Sequence, residues 1–142
     1  MATRQQARMA VVSLLYAYDL GNGNTSNHAN EILEEKKIRN KQKDFALTLY
    51  EGVMQNLAVC DAAITEHLKD WDFERLGSIE RATLRLAAYE ILFSELDSAV
   101  VINEAVEITK SFGTEQSPKF INGVLDAISK DKESKICQKS SF

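Results

Sequence analysis

Apolar residues recur at helical spacing along most of the chain. Ala7, Ala10, Val11, Leu14, Leu15 and Tyr18 lie on one face of a first helix. Thr3 and Gln6 open it as a T-x-x-Q capping box, and Gly21 with the polar stretch GNGNTSN stops it. Ile32, Leu33 and Ile38 mark a weaker helix over 27–38, and the basic run Lys36 to Lys43 follows as a connector or helix entry. Ala46, Leu49, Tyr50, Val53 and Leu57 share a face of a helix over 44–57. Gly52 inside that helix is unfavourable by about 1 kcal/mol against alanine, which a close helix contact would explain. A further helix covers 61–70, with Ile64, Leu68 and then Trp71 pointing inward, and 72–77 is a break.

The segment from Ser78, read as a cap, to Glu95 differs from the others. Its apolar residues, Ile79 to Phe93, cover nearly the whole circumference at 100° per residue, which predicts a central, buried helix. Glu80, Arg81, Arg85 and Glu90 interrupt that surface. Val101, Ala105, Ile108 and Phe112 define a helix over 102–112 that Gly113 stops. Ser117 and Pro118 open a last helix, with Phe120, Ile121, Val124, Leu125 and Ile128 as its stripe. The pattern gives about seven helices. One proline and no alternating β-branched run complete an all-α reading. Residues 1–130 form one domain, and 131–142 read as a flexible polar tail.

Composition excludes more than it selects. The chain has 142 residues, 44% hydrophobic and 27% charged, enough for a self-sufficient core and unlike a disordered chain. No apolar run approaches the roughly 20 residues that span a bilayer, and the first ten residues lack a secretion signal's apolar core, so a cytoplasmic protein is expected. Cys60 and Cys137 form neither a disulfide framework nor a metal spacing. His28 and His67 belong to no metal motif, no glycine-rich phosphate loop appears, and nothing resembles a nucleophile elbow. No cofactor, no metal and no enzyme are expected. An unrecognised catalytic cluster at Glu80, Arg81 and Arg85 is the alternative, weighed against paired structural ions.

The net charge of −4 hides a division. Residues 1–43 carry seven basic and four acidic side chains, residues 44–128 six and fifteen, and residues 129–142 four and two. A basic entry followed by an acidic body can serve two partners of opposite sign, or be an unevenly charged solvated surface. On the first helix Arg4, Arg8, Val12 and Tyr16 form a stripe opposite the core positions. Arginine forks to phosphate and tyrosine stacks on bases or fills a partner's pocket. An ordinary solvated face is the alternative. The Lys36 to Lys43 run adds five cations and reads as a solvated linker or as further phosphate contacts.

Five segments together resemble the NusB family of bacterial antitermination factors: R-x-x-A-R with LLYAYDL (Arg4 to Leu20), LYEGV (Leu49 to Val53), IERATLRLAAYEI (Ile79 to Ile91), VINEAVEITKSFG (Val101 to Gly113) and SPKFINGVLD (Ser117 to Asp126). They cover roughly residues 4–128. The resemblance implies an all-α fold of two small packed helical subdomains. It implies a partner, the small basic ribosomal protein NusE, and an RNA, the boxA element of ribosomal RNA transcripts, within an antitermination complex on RNA polymerase. Position by position it implies RNA contacts at Arg4, Gln5, Arg8, Gln116, Lys119 and Phe120, and partner contacts at Tyr16, Glu80 and Arg81. The family often has a denser arginine cluster before the first helix, so unaided RNA affinity is expected to be weak and salt-dependent. Gln116 stands where an acidic residue is common, removing a like-charge repulsion with phosphate. A protein-only scaffold and a homodimer that hides the arginine stripe are the other readings.

Overall fold

The computed structural model describes residues 3–21, 25–68, 76–112 and 117–140. Seven helices and no strand occur among them: α1 (Arg4–Asp19), α2 (Thr25–Glu35), α3 (Asn40–Gln55), α4 (Leu57–Glu66), α5 (Ser78–Phe93), α6 (Ser98–Phe112) and α7 (Ser117–Ser140). The expected Trp71 contact and the Gly113 stop lie outside the described residues.

Two hydrophobic cores organise the helices. The first joins α1, α2 and α3 through Val11, Leu14, Leu15, Leu33, Ala46 and Val53, with Ala82 and Leu86 from α5. The second joins α4 to α7 through Cys60, Ile64, Leu84, Ala88, Ile91, Ile121 and Leu125. Helix α5 contributes to both cores, which is why its apolar residues run around its circumference. Tyr89 of α5 packs against both. Its ring occupies the space a β-carbon on Gly52 of α3 would need. This close approach explains a glycine inside a helix.

Local signals set several ends. Thr3 and Gln6 form the capping box: the Gln6 N–H donates to Thr3 Oγ1 at 3.1 Å and the Thr3 N–H to Gln6 Oε1 at 2.9 Å. Helix α2 ends in a Schellman motif, with the Ile38 N–H on the Leu33 carbonyl at 2.9 Å and the Lys37 N–H on the Glu34 carbonyl at 3.0 Å. Lys37 holds the left-handed position, φ 61°, that glycine usually takes. Leu33 and Ile38 are both buried and close the motif with an apolar contact.

Several boundaries differ from the sequence pattern. Helix α3 begins at Asn40, so the basic run supplies its first turn. Helix α5 has Gly77, not Ser78, at its N-cap. Glu80 folds back over Gly77 instead. Asp97 caps α6, accepting the Ala99 N–H at 3.1 Å. Helix α7 continues to Ser140, beyond the boundary drawn at 130. Residues 130–140 contain no glycine or proline to stop a helix, and Lys132 Nζ donates to the Ile91 carbonyl of α5.

Candidate nucleic-acid and protein interfaces

Helices α1 and α5 run antiparallel and are clamped at both ends by ion pairs. At one end Arg8 forks onto Glu90, Nε to Oε1 at 2.9 Å and Nη2 to Oε2 at 3.0 Å. Both side chains are almost fully buried, at 7% and 2% exposure. Burial works against the Arg8 charge, but the hydrogen bond and charge of Glu90, with the charge of Glu104, hold its pKa above the ordinary value. At the other end Asp19 accepts from Arg81 Nη2 at 2.7 Å and from Arg85 Nη1 at 3.2 Å. Arg85 also forks onto Asp61 of α4, at 2.8 and 3.0 Å. Burial opposes the Arg85 charge too, and the hydrogen bonds and charges of Asp61 and Asp19 raise its pKa. Charges of alternating sign thus join α1, α5 and α4.

This clamp takes up two of the expected site residues. Arg8 is not at the surface where an RNA contact was expected: α1 packs on both α3 and α5, so its side chain turns inward to Glu90. Val12 of the same stripe is fully buried for the same reason. Arg81, expected on the partner face, has a side chain only 13% exposed and tied to Asp19. Arg81, Arg85 and Glu90 act as structural ions, and their partners lie 24 to 82 residues away in sequence. Only the first halves of these pairs were legible, as charges on an apolar helix.

The remaining expected residues fall at two ends of the α1–α5 pair. At the first end Arg4 and Gln5 are exposed. The Arg4 guanidinium lies over the Phe45 ring of α3, 4.6 Å from its centre, and Arg8 lies 5.1 Å from the same ring. Nothing in the sequence pattern singles out Phe45 for this contact. At the second end the Ser117 hydroxyl donates to Glu80 Oε1 at 2.7 Å, joining the starts of α5 and α7. Lys119 is exposed beside this joint, and Phe120 is half-buried against the second core. Tyr16 and Tyr18 are each 36% exposed near the same end, where Asp19 meets Arg81. Gln116 lies outside the described residues. Glu80 and Glu90 are ten residues apart on α5, about 15 Å along the helix.

One group of metal-binding residue types comes together among the described residues. Ligand atoms of Glu66, His67 and Asp131 lie within 4.8 Å of one another. His67 Nδ1 meets the Ala63 carbonyl at 2.8 Å and Nε2 lies 3.9 Å from Asp131. This contact ties the end of α4 to α7. No described helix is long and apolar enough to cross a membrane.

The α1–α5 pair thus carries basic and aromatic side chains at both ends, Arg4 with Phe45 at one and Lys119 with Tyr16 at the other. The NusB family model matches residues 5–130. A transcription antitermination protein NusB from Sulfurimonas denitrificans is 86% identical over 132 residues, 93% of this chain and 100% of that protein. One from a Nitratiruptor species is 62% identical, over 92% of this chain and 94% of that protein. The chain belongs to the NusB family. The solved structure of T. maritima NusB superposes with a TM-score of 0.83 at 37% identity, covering 91% of this chain and 92% of that one. A chain from the crystal structure of antitermination factors NusB and NusE in complex with dsRNA superposes at 0.82 with 34% identity, over 90% of this chain and 96% of that one.

Proposed function

We propose that this chain is a non-enzymatic transcription antitermination adaptor of the cytoplasm. With NusE it binds the boxA element of ribosomal RNA transcripts and joins the antitermination complex on RNA polymerase. The observation that carries the reading is the likeness, over nine-tenths of the chain, to a protein solved with NusE and double-stranded RNA. The geometry supports it. Arg4 and Gln5 offer phosphate and base contacts at one end of the α1–α5 pair, and Lys119 offers another at the opposite end. Tyr16 and Glu80 mark the NusE face, and the acidic body matches a basic protein. Glu80 already accepts a hydrogen bond from Ser117, so a NusE cation there would join an existing contact.

Neither surface is extensive, and the mechanism is composite: NusE and RNA each bind the other's complex more tightly than they bind this chain alone. The test is binding of boxA and scrambled RNA with and without NusE from the same organism, at two salt concentrations. NusE should raise boxA affinity well above that for scrambled RNA. NusE binding with no RNA binding would leave a protein-only scaffold.

A further inference from the structure

Helix α3 begins where the basic run ends, and its first turns lie beside the start of α1. Phe45, under the Arg4 guanidinium, fixes that proximity. Lys41 stands one turn before Phe45, on the same helical stripe. Arg39, at the N-cap of α3, supplies no side-chain cap, so the positive end of the helix dipole faces the same region. Between 34 and 44 five cations meet three carboxylates. One of these, Glu34, takes Lys43 at 2.6 Å and Arg39 at 3.4 Å. Its pKa is lowered by the Lys43 hydrogen bond and charge, then by Arg39. Lys36, Lys37 and Lys41 are exposed and make no ion pair among the described residues. Lys37 also holds a left-handed backbone, φ 61°, at a helix end where glycine would sit without strain.

We propose that Lys36, Lys37 and Lys41 form, with Arg4, one continuous strip that binds the RNA phosphodiester backbone. The strip adds charge to Arg4 at the start of α1, where Arg8 is taken up by Glu90. It contacts phosphate and not base edges, so it sets affinity and register without sequence preference. This inference rests on the RNA-binding reading above.

The test uses the complex of the full chain with NusE. Wild type is compared with Lys36→Gln/Lys37→Gln/Lys41→Gln and with the corresponding triple arginine variant, on boxA and scrambled RNA across a salt series. The glutamine variant should weaken both RNAs in parallel, on the order of 10- to 100-fold at 0.1 M salt. The slope of log affinity against log salt should become shallower by about 2. The arginine variant should keep wild-type slope. NusE binding and the melting temperature should not move. A second variant, Lys37→Gly, should melt higher than wild type yet bind RNA more weakly, which separates charge from folding. Unchanged affinity and slope in the glutamine variant, with RNA bound by wild type, would overturn the strip and leave the adaptor reading intact. Loss of NusE binding alone would also overturn it, placing the lysines on the protein face. If the wild-type complex binds no RNA, the adaptor reading fails and the strip with it.

Discussion

Replacing Arg8 by methionine removes one half of a buried, forked ion pair and leaves Glu90, 2% exposed, without its partner. A carboxylate stranded in this way destabilises a fold by about 3–5 kcal/mol. Glu104 adds to the effect: its Oε2 is buried without a hydrogen-bond partner among the described residues, and its charge also acts on Arg8. Arg8→Met should therefore fall in the upper half of that range. Glu90→Leu should cost less, because Arg8 keeps Glu104 as a nearby counter-charge. The double variant Arg8→Met/Glu90→Leu replaces the pair by apolar side chains of similar size and should return most of the loss. Urea unfolding followed by helical circular dichroism measures each arm of the cycle. Thermal midpoints should fall by roughly 8–20 °C in the single arginine variant, at about 2–4 °C per kcal/mol. A single variant costing less than about 1 kcal/mol, or a double variant whose loss is the sum of the two, would refute the clamp. The same proteins test the placement of Arg8. The folded double variant should bind RNA with NusE as wild type does; a folded double variant that has lost RNA would return Arg8 to the RNA surface.

Gly52→Ala and Gly123→Ala should have opposite signs in the same assay. The first meets the Tyr89 ring and should destabilise by about 1–3 kcal/mol despite alanine's better helix propensity, whereas the second meets nothing within 4 Å and should stabilise by about 0.5–1 kcal/mol. The Cys60 thiol is pushed up to about 12 by burial, then by Asp61, against a smaller opposing effect of Arg85. Its native state thus keeps a proton that the unfolded state has lost above pH of about 9, so stability should fall as pH rises from there, by up to about 1.4 kcal/mol per unit. Cys60→Ala should flatten that slope relative to wild type, and an unaltered slope would remove Cys60 as its cause. Arg4→Gln should weaken boxA binding by the NusE complex without changing the melting curve, since Arg4 is exposed; equal RNA affinity would take Arg4 out of the site.

The helices were legible because their apolar residues repeat at a single period, and α5 was legible as central because its apolar residues do not favour one side. The capping box at Thr3 and Gln6 and the close approach at Gly52 follow from local rules and stand in the structure. What local rules miss is pairing across the chain. Arg8 and Arg4 look alike on a helical wheel, yet one faces Glu90, 82 residues away, and the other faces solvent. Phe45 carries no local signal because the cations over its ring belong to another helix. The Lys36 to Lys43 run reads from sequence as a connector or helix entry, and α3 begins inside it at Asn40. The end of α7 was not legible because apolar spacing ceases near 128, whereas the helix runs to Ser140 through residues with ordinary helix propensity.

The central claim is that this chain couples a basic protein to an RNA. Calorimetric titration in both orders tests it most directly: NusE into the chain with and without boxA RNA, and RNA into the chain with and without NusE. Coupling of the two ligands must be reciprocal, and the account predicts the same enhancement in both orders, within about 5–150-fold. An enhancement of one, with each ligand indifferent to the other, would contradict it.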